Sequence, residues 1–318
     1  MDPEDRPKMG ISACLTGQKV RFDGGHKLDH FLVDTLGQFV LFVPVCPEAE
    51  AGFGIPREPM HLAGHPTSPR LVRSKSGQDM TEEMTGWARI RLSELDKEDL
   101  CGFVFKSRSP SSGMEQVRII NDEGVPVNKA SGIFAGMFVK RFPLLPVEDE
   151  GRLHDPAIRE NFIERIFALK RWRDHLAAGK SSKNLIAFHR TQKLLLLSHS
   201  TAHYRLMGKL VADVAALPIE EAYSRYQALF MEALRLRATR GKQTNVLDHM
   251  LGYFKRHLSP EEKQEMLRII ARYKEGYLPL IAPITLFNHY VRKYGEPYLN
   301  EQVYLNPHPL ELQLRNHA

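Results

Sequence analysis

The stretch LCGFVFKSRSPSSGM, Leu100 to Met114, joins an apolar run to a loop holding four serines, a proline and a glycine. A short continuous run of this kind, bounded by turn residues, predicts a buried strand that opens into a polar loop. The loop can be an ordinary turn, an anion cradle or a ligand site, and its neighbours have to decide. Two further runs have the same shape. Met9–Ala13 ends at Cys14, and Phe39–Val45 ends at Cys46 followed by Pro47-Glu48. Gln116–Ile120 reads as a fourth strand. Between the second and third strands, Asp79 to Leu95 carries a threonine start (Thr81) and apolar residues at Met84, Trp87, Ile90 and Leu92, the pattern of a capped amphipathic helix. A second helix is expected over Ala130–Phe138. Strands alternating with helices predict an α/β, doubly wound (Rossmann-like) N-terminal domain over residues 1–150.

From Asp155 the pattern changes. Asp155-Pro156 is an N-cap followed by a proline at the first helical position, and Phe162, Ile166 and Leu169 recur at helical spacing. Helices are expected over 182–198, 201–216, 219–238, 245–257, 260–273 and 278–294, with a capping box at Ser259-Pro-Glu-Glu262. Residues 151–318 therefore read as an all-α C-terminal domain, with Pro143–Leu153 as the joint and the segment from Tyr298 as an extended tail. The chain has 318 residues and a net charge of +6. Residues 1–150 hold 18 Lys+Arg against 22 Asp+Glu, whereas 151–318 hold 26 against 16 and ten of the fourteen histidines. A basic half joined to a mildly acidic one fits a polyanionic partner, although a solvated arginine-rich surface has the same composition. No apolar run approaches the ~20 residues of a membrane span, the N-terminus lacks a secretory core, and three scattered cysteines make no disulfide framework. A cytoplasmic protein without a membrane partner is expected.

In an open parallel sheet, ligands collect at the carboxyl ends of the strands. Here those ends carry Cys14, Cys46-Pro-Glu48 and the serine loop. Two thiols at one sheet edge can ligate a soft metal, or can be small buried hydrophobes; 32 residues of separation make no local motif. Val20-Arg-Phe-Asp-Gly-Gly25 and Ser111-Ser-Gly113 can offer backbone N–H groups to a phosphate but match neither nucleotide fingerprint, and Arg21, Asp23 and Lys106 are candidate substrate contacts. In the second half, Arg190, Lys193, Arg205 and Lys209 with Tyr204 form a basic, aromatic-bearing patch on helices, suited to RNA phosphates or to plain solvation.

Three segments in order, Cys14-Leu-Thr-Gly with Val20–Gly25, Val45–Pro59, and Phe105–Gly113, resemble the thiouracil desulfidase family. Leu185–His189, Lys193–His199, Tyr204 and Tyr298–Asn316 resemble the YbgA-like helical domain fused to it, and such fusions are similar to enzymes that remove sulfur from 4-thiouridine in tRNA. The resemblance implies a [4Fe-4S] cluster on three cysteines with one open iron, Glu48 as proton carrier, and Ser107 or Ser109 orienting the thiocarbonyl or the water. Cys14 and Cys46 take ligand positions. The third position reads Ser112, where the family pattern has cysteine, and Cys101 lies eleven residues earlier on the apolar strand. Ser112 can be an introduced replacement, a natural weaker ligand, or the mark of a protein that has lost its cluster and kept an RNA-binding role. The intact remainder of the motif favours the first. A desulfidase for free thiouracil and a non-catalytic RNA-binding protein are the other readings.

Overall fold

The computed structural model describes residues 5–121, 123 and 125–317. The chain forms two compact units that divide after Asp155. In the first, β1 (Lys8–Ser12), β2 (Leu41–Val45), β5 (Gly102–Phe105) and β8 (Val147–Asp149) make a parallel sheet in the order β2-β1-β5-β8. Every residue of β5 is buried, as expected of a strand covered on both faces. Pro44 cannot donate to a ladder, and it sits in β2 at the sheet edge, where that donor is dispensable. Gly10 of β1 faces Phe103, whose ring carbon would lie 2.1 Å from any Cβ placed there. The two strands pair only because this position has no side chain. Phe103 and Phe105 stack at 4.2 Å and meet Phe134 and Phe138 of α3 (Ile133–Arg141), closing one face of the sheet.

A second four-stranded sheet was absent from the sequence reading. It has the order β4-β3-β6-β7, from β3 (Met60–His65), β4 (Ser68–Arg73), β6 (Val117–Ile120) and β7 (Pro126–Ala130). β3 and β4 form an antiparallel hairpin, and β6 runs parallel to β3. The strand expected at Gln116–Ile120 thus joins this sheet and not the parallel one. Its pattern explains why: Val117 and Ile119 are buried while Arg118 is exposed, the alternation of a strand with one wet face. The unit is mixed α/β with two separate sheets, which the expectation of one doubly wound, Rossmann-like sheet did not include. The fourth parallel strand is β8, inside the segment read as a joint. Three residues are too few for any periodicity to show. The helix expected from Asp79 is α2 (Thr81–Leu95), whose first turn is held by Asp79 accepting from the Thr81 N–H at 2.9 Å. A four-residue helix, α1 (Pro47–Glu50), follows β2.

The second unit is helical: α4 (Pro156–Ala177), α5 (Ser182–His199), α6 (Thr201–Ala212), α7 (Ile219–Arg235), α8 (Arg240–Tyr253), α9 (Pro260–Glu275), α10 (Ile281–Tyr294) and α11 (Pro297–Asn300). Local chemistry sets its starts. Ser181, Ser200 and Thr239 accept from backbone N–H groups three residues on, and Ser259 and Glu262 form the reciprocal capping box. The Thr239 cap starts α8 five residues before the expected position. Beyond Tyr298 the chain is not an extended tail: it makes short helical turns that bury Tyr304, Leu305, Leu312 and Leu314. Among the described residues no helix is long and apolar enough to cross a membrane.

Trp172, Tyr223, Tyr226 and Phe230 form the aromatic centre, with Trp172 stacked on Tyr226 at 5.1 Å. His189 is buried beside it, its Nδ1 3.2 Å from the Tyr226 hydroxyl. Burial, with Lys193 adding to it, lowers its pKa from 6.5 to about 4. The folded state therefore holds a neutral ring that the unfolded chain protonates more readily. Its contribution is complete above pH 6.5 and is lost as pH falls toward 4. From this group alone, urea unfolding at pH 5 should show a helical unit weaker than at pH 7.5 by about 2 kcal/mol. A His189→Asn variant should lose that part of the pH dependence.

Candidate functional site

The carboxyl ends of β1, β2 and β5 open into one cavity of about 380 Å³. A 3-10 turn after β1 places Cys14, α1 after β2 places Cys46 and Glu48, and the loop after β5 places Lys106 to Ser112. Cys14 and Ser112 are buried and Cys46 is half-buried. Burial is the main force pushing both thiols up, with neighbouring Cys46 adding to it for Cys14, which reaches about 11; Lys106 and Arg21 pull Cys14 the other way. Cys46 Sγ lies 3.6 Å from the Val20 carbonyl. Among the described residues no three His, Cys, Asp or Glu side chains are arranged to hold a metal ion. The cavity offers two thiols and, from the third loop, the Ser112 side chain.

Glu48 faces the cavity with its carboxylate held from two sides. Arg57, only 5% exposed, donates from Nε and Nη2 to Oε2 at 2.8 and 2.6 Å. The Ser111 hydroxyl donates to Oε1 at 2.7 Å, and Ser109 Oγ stands 3.0 Å from Ser111 Oγ. Ser109 also accepts from the Ser112 N–H at 3.2 Å, so this serine pins the backbone of Ser112, whose side chain lines the cavity. Arg57 Nη1 reaches the carbonyls of Val20 and Gly54 at 3.0 Å each, tying the loops after β1 and α1 together.

The sequence reading missed the fourth strand end. Glu150, directly after β8, accepts from the Ser107 N–H and hydroxyl at 2.7 Å each and pairs with the Lys106 ammonium. Ser107 is thereby oriented by a carboxylate 43 residues away in sequence, and only the pairing of β5 with β8 brings the two together. No local signal marks Glu150. Ser111, considered from sequence only as part of a backbone anion cradle, contributes its hydroxyl to Glu48 instead.

Other candidates fall differently. Arg21 and Lys106 line the cavity. Asp23 does not: its carboxylate accepts from the Gly25 N–H at 3.0 Å and shapes the Val20–Gly25 turn, so its role is to hold the turn that carries Arg21. Cys101 is buried just before β5, its N–H bonded to Lys8 at the opposite end of the sheet from Ser107, and is a core residue. In the helical unit, Arg190 and Lys193 lie on α5 and Arg205 and Lys209 on α6. His199, from the same segment, is buried with Nε2 2.5 Å from Glu164, where burial raises the carboxyl but His199 and Arg315 outweigh it and hold it at about 2.

Fold and site together define an α/β domain with a thiol-bearing cavity at its parallel strand ends, joined in one chain to a helical unit. Residues 9–150 match the model of the 2-thiouracil desulfurase family, and residues 193–309 match that of a family described as protein of unknown function, DUF1722. The chain is 33% identical over 158 residues to the uncharacterized protein YbgA of Escherichia coli (strain K12), covering 94% of that protein and 49% of this chain. It is 29% identical over 108 residues to the uncharacterized protein YbbK of Bacillus subtilis (strain 168), covering 71% of that protein and 32% of this chain. Among solved structures it is similar to the [4Fe-4S]-dependent thiouracil desulfidase TudS, at 31% identity, covering 95% of that chain and 47% of this one with a TM-score of 0.39. The chain belongs to the YbgA family and carries a 2-thiouracil desulfurase domain ahead of that part.

Proposed function

We propose that this protein removes the sulfur of 4-thiouridine in tRNA, replacing C=S by C=O and releasing sulfide without net redox change. The supporting observation is the meeting of Cys14, Cys46, Glu48 and the Ser107–Ser112 loop at one cavity, within a domain that matches the 2-thiouracil desulfurase family. Cys14 and Cys46, with Ser112 at the third corner, would hold the [4Fe-4S] cluster that the motif resemblance implies. The donor set suits it in two positions of three. Buried thiols are poor bare anions, and an iron site supplies the positive charge that makes them good ligands. A serine oxygen is harder and less readily deprotonated, so this chain would hold iron less firmly than a three-thiolate site. Such a cluster would supply soft Lewis acidity toward the sulfur of a thiocarbonyl.

The protein's own groups do the proton work. Glu48 takes a proton from the attacking water and delivers it toward the departing sulfur, while Arg57 and Ser111 keep both carboxylate oxygens in place. The water oxygen bonds to the ring carbon as the C–S bond breaks, so thiocarbonyl plus water becomes carbonyl plus hydrogen sulfide. Ser107, whose hydroxyl proton is held by Glu150, presents its oxygen as an acceptor that can orient the water. Arg21 and Lys106 both line the cavity; Lys106 is held by Glu150, which leaves Arg21, loosely paired with Asp23 at 3.5 Å, as the cation for a substrate phosphate. A tRNA substrate would place this work in the cytoplasm.

The surplus of ten positive charges in residues 151–318 supports a polyanion over a free base, which needs no such field. In the iron-loaded Ser112→Cys protein, sulfide release should therefore be faster from thiolated tRNA than from 4-thiouridine nucleoside or 2-thiouracil. Only the tRNA reaction should weaken steeply with salt, because bound cations displace counterions from the phosphates. Equal rates on all three substrates, unchanged by salt, would instead assign a small thio-compound as substrate.

A further inference from the structure

The helical unit contains a cavity of about 530 Å³ lined from α5, α6, α8 and α11. Its volume falls within the ~300–1,000 Å³ usual for small-ligand sites. The wall from α8 is a stripe at helical spacing: Lys242, Asn245, His249 and Tyr253. The opposite stripe of that helix, Val246, Leu247 and Met250, is buried in the core. A helix turned toward a groove normally fills it with apolar side chains. Here the groove face is polar; Lys242 is engaged, donating to the His199 and Arg237 carbonyls at 2.7 and 3.1 Å, but Asn245 and His249 on the same stripe are not. Among the described residues the side chains of Asn245 and His249 make no hydrogen bond, and Arg205, facing them from α6, makes no ion pair.

Aromatic faces complete the cavity. Tyr253 stacks on Tyr298 with centroids 4.9 Å apart and planes 18° apart, and Tyr204 lines the same space. Further cations share the helix stripes that line it, without lining it themselves. Lys193 precedes the lining residue Leu194 on α5, and Lys209 lies one helical turn beyond Arg205 on α6; neither forms an ion pair among the described residues. Arg190, one turn before Lys193, pairs with Glu301 at 3.2 Å. Flat aromatic faces, an amide and an imidazole with free hydrogen-bonding capacity, and nearby cations form the chemistry that holds one base and its phosphates. A base still paired in a duplex could not enter.

We propose that this cavity takes one unpaired nucleotide of an RNA strand. Its base lies against Tyr253 and Tyr298, its polar edge meets Asn245 and His249, and its flanking phosphates meet Arg205, Lys193 and Lys209. The choice of RNA rests on the functional reading above; the stacking and polar chemistry are independent of it.

The test uses the full-length chain and a labelled single-stranded RNA of about a dozen nucleotides containing uridine, with the duplex of the same sequence for comparison. Fluorescence anisotropy should show the single strand bound more tightly than the duplex. Tyr253→Ala should weaken binding about 10-fold or more, and Tyr253→Phe, which keeps the ring, should restore most of it. Tyr253 is 44% exposed, so its loss should leave thermal unfolding close to that of the parent. Asn245→Ala with His249→Ala should weaken binding severalfold, and Arg205→Gln should lower the salt slope by about 1. Parent-like binding by Tyr253→Ala, or no binding of the single strand by the parent at low salt, overturns the proposal. Sulfide release from thiolated tRNA is measured separately with the iron-loaded Ser112→Cys protein, because serine at that position is the weaker iron donor. Release together with Tyr253-independent binding defeats this site and leaves the functional reading standing. Tyr253-dependent binding without release does the reverse.

Discussion

Ser112→Cys, reconstituted anaerobically with iron and sulfide, is expected to gain iron, a brown colour with broad visible absorption, and sulfide-releasing activity that the serine form has weakly or not at all. The position is already built for the change. Ser112 is 4% exposed, lines the cavity with Cys14 and Cys46, and has its backbone N–H fixed by Ser109 at 3.2 Å. Replacing Oγ by Sγ alters no loop residue and adds little volume, so the substitution should change the donor and leave the frame intact. A thiolate at this corner would complete a soft three-ligand set, whereas a hydroxyl must lose a far less acidic proton to bind iron. Substitutions around metal ligands commonly change affinity or activity by ~10–100-fold, and exchange of a ligand atom itself should exceed that range. Cys101→Ser provides the control. That thiol is buried at the far end of β5 and should have no influence on iron content. Iron content and activity no higher in Ser112→Cys than in the serine form would show that this corner is not a ligand position.

Glu48→Gln should cost between ~10² and 10⁴ in kcat for sulfide release, measured in the iron-loaded Ser112→Cys background, while the fold stays intact. Geometry makes this a clean experiment. The glutamine oxygen can still accept from Arg57, and the new amide nitrogen can donate to Ser111, whose hydroxyl is free to turn toward Ser109. The shape of the hydrogen-bond network therefore survives, and what disappears is the capacity to take and return a proton. Thermal unfolding should show a small change, since only the ionic part of the contact with Arg57 is weakened. If Glu48→Gln kept more than a tenth of the parent kcat, another group would have to move the proton. Ser107, already oriented by Glu150, would be the first to examine.

Elements that depend on neighbours in sequence were legible before any coordinates. Runs such as Gly102–Phe105 are apolar throughout because both faces of a parallel strand are covered, and such runs need no partner to be recognised. Helix starts at Ser181, Ser200 and Ser259 follow from side chains that satisfy N–H groups three residues away. Cys14, Cys46 and the serine loop follow as site candidates once strand ends are known, because a parallel sheet exposes its carboxyl ends together.

What required the tertiary structure was pairing over distance. β8 is three residues long, and its existence depends on hydrogen bonds to β5 rather than on any pattern of its own. The second sheet is held by β3 meeting β6 across more than fifty residues, and its amphipathic strands gave a weaker signal than the buried ones. Glu150 at Lys106 and Ser107, Arg57 at Glu48, and the α8 stripe facing Tyr298 are likewise products of chain crossings. The residue types, the strand ends and the three motif segments are determined by sequence, because short-range sterics and capping choose among few local states. Which carboxylate orients which serine, and which polar side chains remain unused in a cavity, is decided only on packing. Those contacts join residues whose separation along the chain carries no energy until the fold has closed.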